Sequence, residues 1–248
     1  MKNRNKTANR KPKAIKWIFL VVFIGFILLN IVTYNHAYQF THFSSLETKK
    51  TKVEQLGFLQ KMKLTFVGVK NPKPVNASLP DSPYKTVSLE SHEKLEAWFI
   101  NQDSVKNGIV ILFHGYSGSK SGMLNYSKEF EKLGFATFLV DFMGSGGSEG
   151  NQTTIGFKES RDVKKAYNYV LSEFPNSKII LFGSSMGAVS IMKAVVDFDL
   201  KPDKLILECP FGEMRTTVQK RFEIMQIPSF ILADLLLFYG GLQNDFNP

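Results

Sequence analysis

Cysteine and metal-binding patterns are scarce in this sequence of 248 residues. Cys209 is the only cysteine, so no disulfide can form within the chain, and cysteine usage does not identify the redox compartment. No group of cysteines and histidines has the spacing of a metal site, and no dinucleotide-binding fingerprint is present. The glycine cluster from Gly144 to Gly150 is not followed by Gly-Lys-Ser/Thr, which argues against a phosphate cradle. The sequence therefore predicts no metal and no cofactor.

The positive charge of the chain is concentrated at its start. The formal net charge is +9, but seven basic residues and no acidic residue precede Trp17. The remaining 24 basic and 22 acidic residues nearly cancel. The excess therefore belongs to a tail and does not form a basic face on a domain. Because that tail adjoins a long apolar segment, no nucleic-acid partner is predicted.

The apolar segment from Trp17 to Tyr34 has the features of a membrane anchor. It contains 18 residues without a charge, and Asn30 is its one strongly polar side chain. As a helix it would span about 26 Å, close to the roughly 30 Å hydrocarbon core of a bilayer. The basic tail favours a cytoplasmic N-terminus, so the following residues would be extracytoplasmic in a single-pass protein of the cell membrane. A cleaved signal peptide is the alternative, but no clear small-x-small cleavage site follows the segment.

The residues from Lys178 to Ala188, KIILFGSSMGA, predict a nucleophile elbow. The apolar run Ile179 to Phe182 is typical of a buried parallel strand, and a helical segment follows at once. Between them lies Gly183-x-Ser185-x-Gly187, the pattern of a tight strand-to-helix turn that exposes a nucleophilic serine. Ser185 is the candidate nucleophile. The backbone N–H of Met186, at the helix start, would face the oxyanion formed during acyl transfer. A glycine- and serine-rich loop that caps a helix is the alternative.

Further motifs follow other predicted strands in the order of a known superfamily. His114-Gly115 follows one apolar run, and Asp141 opens the glycine-rich loop after the next. Glu208-x-Pro-Phe follows the run after the elbow helix. Strands that alternate with helices in this way indicate a mostly parallel sheet covered on both faces.

Together these motifs resemble the α/β-hydrolase superfamily, and its membrane-anchored serine hydrolases in particular. The resemblance implies an α/β-hydrolase fold with three layers and a mobile cap. It also implies hydrolysis of esters, thioesters or amides through an acyl-enzyme. Within it, the N–H groups of Tyr116 and Met186 form the oxyanion hole, and His114, Gly115, Asp141, Gly183, Gly187 and Glu208 shape the surrounding loops. The expected divisions are a basic cytoplasmic tail (1–16), a transmembrane anchor (17–34), a juxtamembrane connector (35–83), a hydrolase core (84–211) and a partial cap (212–248).

The proton acceptor that a catalytic serine needs is not evident in the sequence. In this fold the histidine follows the serine along the chain, but His36, His42, His92 and His114 all precede Ser185. Strands one to six of the fold are predicted, whereas the last two, whose loops carry the acid and the histidine, are absent. We therefore expect a truncated hydrolase that is weak or inactive in this form. Its substrate would be a small molecule, a lipid or an acylated peptide. The alternative is a non-catalytic, membrane-tethered pseudo-hydrolase that binds a partner.

Overall fold

A computed structural model describes residues 11–44, 57–90, 93–224 and 229–246. Residues 1–10 of the predicted basic tail, and His92, lie outside these ranges. The first described element is helix α1 (Lys11–Thr41), which contains the predicted anchor and continues seven residues beyond Tyr34. Among the described helices, α1 is long and apolar enough to cross a membrane, with a mean hydropathy of 2.6 over its most apolar stretch.

The connector after α1 packs on the rest of the protein and includes short regular elements. Strand β1 (Phe43–Ser44) pairs in parallel with β2 (Asn71–Pro72), and helix α2 (Phe58–Val67) lies between them in sequence. Beyond β2, Lys73 donates hydrogen bonds from Nζ to the carbonyls of Ser148 and Gly150. The connector is therefore attached to the glycine-rich loop that was predicted to border the site.

The main sheet has six strands among the described residues. They are β3 (Tyr84–Leu89), β4 (Leu95–Ile100), β5 (Ile109–Phe113), β6 (Ala136–Val140), β7 (Ile179–Ser184) and β8 (Lys204–Glu208). Their spatial order is β3-β4-β6-β5-β7-β8. The first two strands form a hairpin, and β4 also pairs antiparallel with β6, while β5 pairs in parallel with β6 and β7, and β8 with β7. The mostly parallel sheet predicted from the sequence is confirmed.

Helices cover both faces of this sheet. The central strands β5 and β6 are buried at every position, so the side chains on both faces need a covering layer. Helices α4 (Glu159–Glu173) and α5 (Met186–Phe198) pack on the face to which Ile111 belongs. Helix α3 (Leu124–Lys132) packs on the opposite face, which contains Leu112. Both core layers are thus built from successive residues of the same buried strands.

The last described segment consists of two helices, in the region predicted as a partial cap. Helix α6 (Met214–Ile224) follows β8, and helix α7 (Leu232–Asn244) packs against α6 and α1. Within the described residues, β8 forms one edge of the sheet, and its side chains Leu205 and Ile206 are about 40% exposed. The carboxyl ends of the parallel strands lie on the side from which α6 departs.

Candidate active site

Ser185 occupies a sharp turn between β7 and α5. Its backbone has φ 51° and ψ −111°, in a region that L-amino acids with side chains rarely adopt. The Ser185 N–H donates a 2.8 Å hydrogen bond to the carbonyl of Glu208, at the end of the neighbouring strand β8. The turn is thus held by the adjacent strand as well as by its own sequence. Such strain is characteristic of functional sites.

The two glycines around Ser185 permit the close packing of the turn. A Cβ atom on Gly183 would lie 2.5 Å from the carbonyl carbon of Gly187, on the first turn of α5. A Cβ atom on Gly187 would overlap the backbone carbonyl of Phe113, at the end of β5. Both obstacles are backbone atoms, which no side-chain rotation can move away. Glycine is therefore required at these positions by packing, as the sequence pattern suggested.

The loop after β5 lies directly beside Ser185. A Cβ atom on Gly115 would lie 3.5 Å from the Cβ of Ser185, so the loop backbone borders the serine. Tyr116 follows Gly115 in this loop. Met186 follows Ser185 and is the first residue of α5. The structure therefore brings the predicted loop and the predicted helix start to the same serine. These are the two segments from which oxyanion-hole donors were expected.

His114 is buried, and both of its ring nitrogens are engaged within the loops. Nε2 accepts a 3.2 Å hydrogen bond from the N–H of Phe142, so Nδ1 carries the proton and donates to the carbonyl of Gly115 at 2.8 Å. Burial lowers the pKa of the His114 imidazole, although the carboxylate of Asp141 opposes the shift. A neutral ring with both nitrogens occupied ties two loops together and has no free nitrogen to accept a proton from Ser185.

Tyr116 joins this loop to the end of α1. Its hydroxyl donates a 2.8 Å hydrogen bond to the carbonyl of Phe40, and the two rings stack with centroids 4.9 Å apart. The side-chain amide of Asn71 donates to the same hydroxyl at 3.3 Å. The loop beside Ser185 is therefore attached to the last turn of the apolar helix. Sequence reasoning missed this contact because the partners are 76 residues apart.

Asp141 lies at the centre of a buried network of charges. Its carboxylate accepts hydrogen bonds from the backbone N–H groups of Lys120 (2.6 Å) and Gly147 (2.9 Å) and from the Asn76 amide (2.8 Å). It also forms an ion pair with the ammonium of Lys120, and both side chains are fully buried. The hydrogen bond from the Gly147 N–H attaches this carboxylate to the glycine-rich loop. Lys120 was missed, since nothing in its polar sequence neighbourhood indicates burial.

Glu159 is a second buried carboxylate that the sequence did not reveal. It accepts hydrogen bonds from the backbone N–H groups of Thr154 and Gly156, both 2.9 Å, and from the hydroxyls of Thr153 and Thr154. The Thr153 Oγ1 atom lies 3.4 Å from the sulfur of Met186. Glu159 therefore stabilises a loop that contacts the residue following the candidate nucleophile.

Glu208 lies at the end of β8, opposite Ser184 in the strand register. Both of its carboxylate oxygens lie 2.9 Å from the hydroxyl of Tyr126, on α3. Its carbonyl accepts the Ser185 N–H described above. These contacts connect Glu208 to the sheet, to α3 and to the turn, which is the arrangement expected of a residue with a structural role.

The histidines in the described ranges are each engaged away from Ser185. His36 contacts the carbonyl of Thr65 at 2.9 Å, and His42 contacts Thr41 and Gln152, both at 3.0 Å. None of these rings is hydrogen-bonded to Ser185. The same ranges contain no group of three or more histidine, cysteine, aspartate or glutamate side chains arranged to hold a metal ion.

Comparison with known proteins agrees with this architecture. An uncharacterized membrane protein of Saccharomyces cerevisiae is 26% identical over 189 residues, which cover 68% of this chain and 66% of that protein. A lysophosphatidylserine lipase of Danio rerio is 25% identical over 131 residues, covering 51% of this chain and 34% of the lipase. The chain thus spans less than two thirds of the length of these relatives.

Solved structures and a family model identify the fold. The structure of an esterase from Pyrococcus furiosus superposes with a TM-score of 0.55 at 26% identity, and the match covers 68% of this chain and 67% of the esterase. Residues 104–239, more than half of the chain, match the family model described as serine aminopeptidase, S33. The matched region contains β5 to β8, the turn at Ser185, all of α6 and the first eight residues of α7. The chain belongs to the S33 serine aminopeptidase family of α/β-hydrolases.

Proposed function

We propose that this protein is a membrane-anchored serine hydrolase that cleaves ester, thioester or amide bonds through an acyl-enzyme on Ser185. The observation that carries the proposal is the strained backbone of Ser185 at the β7–α5 turn, where both flanking glycines are required by packing. In this mechanism Ser185 Oγ loses its proton to a base or to solvent as it attacks the substrate carbonyl, and the tetrahedral adduct then expels the alcohol, thiol or amine and leaves the acyl group on Ser185. Water hydrolyses this acyl-enzyme and releases the acid. The N–H groups of Met186 and Tyr116 stabilise the negative charge that develops on the carbonyl oxygen.

A lipid or another amphiphilic ester is the substrate class that fits best. Two kinds of relatives, a lysophosphatidylserine lipase and an esterase, support ester hydrolysis. The apolar space between α1, α6 and α7, lined by Phe40, Val218 and Leu237, has a volume of about 20 Å³, which is enough for a water molecule but not for an acyl chain. The proposed substrate class therefore rests on these relatives.

Helix α1 would anchor the protein in the cell membrane, with its N-terminus in the cytoplasm. Its uncharged segment is exposed from Trp17 to Leu28, as expected of side chains that contact lipid. The domain that carries Ser185 would then lie on the extracytoplasmic side.

The lack of a proton acceptor beside Ser185 among the described residues limits the expected rate of acylation. A serine hydroxyl reacts slowly without a base, and no described histidine is hydrogen-bonded to Ser185. We therefore expect acylation of Ser185 to be slow.

Labelling with a fluorophosphonate tests the proposal directly. The chain in detergent micelles is incubated with the probe, and the modified residue is identified by peptide mass spectrometry. We expect slow labelling at Ser185, which is lost in Ser185→Ala and retained in Ser184→Ala. Ser184 is a matched control, because it precedes Ser185 and is equally half-buried but lies at the end of β7. Labelling that survives in Ser185→Ala would overturn the assignment of the nucleophile. Rapid labelling would overturn the expectation of a missing base.

A non-catalytic, membrane-tethered binding protein is the second candidate function. The engagement of every described histidine away from Ser185 favours it, and so does the exposed edge at Leu205 and Ile206 of β8. The same experiment separates the two functions. A binding protein would show no labelling at Ser185 even at long reaction times, whereas a hydrolase with an inefficient base would still accumulate the adduct.

A further inference from the structure

Asn30, the polar residue within the apolar span, is held by a contact with the cap. Its side-chain amide donates a 2.7 Å hydrogen bond to the carbonyl of Phe26, one helical turn earlier. Its side-chain oxygen accepts a 2.6 Å hydrogen bond from the hydroxyl of Tyr239, on α7. Both polar groups of the Asn30 side chain are thus satisfied. Since Asn30 lies about 6 Å along the helix axis before Tyr34, Tyr239 reaches inside the predicted end of the span.

Two further contacts place α7 at this level of the anchor helix. The ring of Tyr239 packs edge-on against the ring of Tyr34, with centroids 5.5 Å apart. The side-chain amide of Gln243 donates a 2.9 Å hydrogen bond to the carbonyl of Tyr34. Helix α7 therefore contacts α1 within the last turn of the apolar segment.

Helix α2 contacts α1 immediately after that turn. The Asn35 side-chain amide donates a 3.0 Å hydrogen bond to the carbonyl of Phe66, and a ring nitrogen of His36 lies 2.9 Å from the carbonyl of Thr65. The C-terminal turn of α2 is thus attached to α1 at the two residues that follow Tyr34. Two helices, α2 and α7, flank the point where the apolar helix would leave a membrane.

Both flanking helices expose large apolar side chains. Phe238 and Leu242 are four residues apart on α7, and therefore on one face, with 59% and 65% of their surface exposed. We define the collar as six of the exposed apolar residues of α2 and of α7 with its preceding turn: Phe58, Leu59, Phe66, Phe230, Phe238 and Leu242. The apolar face of α1, exposed from Trp17 to Leu28, adjoins it along the chain. Molecules that surround the exposed face of α1 would therefore also contact the collar.

We propose that the collar inserts into the lipid–water boundary of the bilayer that α1 crosses. The occupant of this apolar surface is then the acyl-chain and glycerol region of membrane lipids. Apolar side chains on helices that lie at this depth bind the interface by burying their surface among lipids. The inference rests on the membrane anchoring in the proposed function, but it does not depend on the chemistry of Ser185.

Insertion of the collar would also fix the distance between the candidate site and the membrane surface. Phe40, whose carbonyl and ring contact Tyr116, lies about 9 Å along the helix axis beyond Tyr34. The loop beside Ser185 would then face the membrane surface at close range. A substrate whose acyl chain remains in the bilayer could reach such a site without leaving the membrane entirely.

Site-specific fluorescence in lipid vesicles tests the proposal. Cys209→Ser removes the native thiol, and single cysteines labelled with the environment-sensitive dye NBD are introduced by Leu242→Cys, Leu133→Cys or Phe23→Cys. Leu133 is the matched control, because it is 63% exposed, as apolar as Leu242, and lies before β6 at the opposite end of the sheet. Phe23, within α1, reports insertion of the anchor. The protein is reconstituted in phosphatidylcholine vesicles with and without doxyl-labelled lipids, which quench dyes in the bilayer.

We expect blue-shifted, strongly quenched emission at positions 23 and 242, and red-shifted, unquenched emission at 133. Quenching at 23 together with water-like emission at 242 would overturn the collar while leaving the anchor intact. Water-like emission at 23 would refute the anchor and the collar together. In the Leu242→Cys background, Tyr239→Phe removes the hydroxyl that binds Asn30, so quenching at 242 should decrease; unchanged quenching would contradict the role of this contact. None of these readouts requires hydrolase activity, so loss of Ser185 labelling and loss of collar insertion are separate results.

Discussion

Replacing Lys120 with methionine should destabilise the domain far more than loss of an ordinary surface lysine. The Lys120 side chain is fully buried, pairs with the buried Asp141 carboxylate and lies 2.6 Å from an oxygen of Glu96. Its ammonium also lies 4.4 Å from the centre of the Trp98 ring. Methionine conserves the length and the apolar stem but removes the positive charge. Two carboxylates would then face each other without a cation between them.

The expected loss follows from the burial of this pair. Removing one partner of a buried ion pair costs about 3–5 kcal/mol, because the other charge is left without compensation. For a protein of this size, each kcal/mol lowers the melting temperature by about 2–4 °C, so we expect a decrease of about 6–20 °C. The loop carrying Gly147, which also binds Asp141, should lose order with the same substitution.

Lys128→Met is the matched control for this measurement. Lys128 pairs with Asp81 at 2.7 Å, but the two side chains are 49% and 79% exposed. Such a surface pair contributes about 0–1 kcal/mol. Both variants and the parent are compared in detergent micelles by thermal unfolding, followed by circular dichroism. If Lys120→Met lowers the melting temperature no more than Lys128→Met does, the network is not the stabilising element inferred here.

Two further substitutions test the packing and the buried charges of the site. Gly183→Ala should abolish the yield of folded protein, since its Cβ would lie 2.5 Å from a backbone carbon; Gly122→Ala, which meets no atom within 4 Å, should express normally, and equal yields would refute the packing argument. Asp162→Asn should stabilise the protein at neutral pH. Burial raises the pKa of the Asp162 carboxyl well above its usual value. The protonated carboxyl therefore contributes its full stability below the usual pKa of an aspartate, and this contribution is lost as pH rises through the pKa of the folded state. Each unit of that rise corresponds to about 1.4 kcal/mol, and the asparagine oxygen can still accept the Met143 N–H. Melting temperatures should therefore favour Asp162→Asn at pH 8 and converge near pH 4, and a pH-independent difference would contradict this reasoning.

Features set by local sequence were predicted well. The apolar run Ile179 to Phe182 lies within β7, and the helix predicted after the elbow is α5, which begins at Met186. The apolar runs predicted before His114 and Asp141 are strands β5 and β6. These elements depend on short-range periodicity and on glycines whose role is steric. A single sequence contains that information within a few residues.

Features set by contacts between distant segments were not predictable. Nothing in Asn35 and His36 favours a helix over a connector, yet α1 continues through both to Thr41. The reason is tertiary: their side chains bind α2 about 30 residues away. Lys120 was missed for a similar reason, because its partners Glu96, in β4, and Asp141, directly after β6, are brought together only by the folded sheet. A buried lysine cannot be distinguished from a surface lysine before its partners are known.

The candidate site therefore combines two kinds of information. The turn at Ser185 is determined locally, by Gly183 and Gly187 against neighbouring backbone. Its position relative to α1 is determined over long range, for example by Tyr116 against Phe40. A variant can thus retain the turn and lose its attachment to α1. The attachment includes the hydroxyl and ring of Tyr116 and also backbone hydrogen bonds from Thr153 to Thr41 and from Phe43 to Asn151. The position of the candidate site relative to α1 therefore depends on several contacts between segments that are distant in sequence.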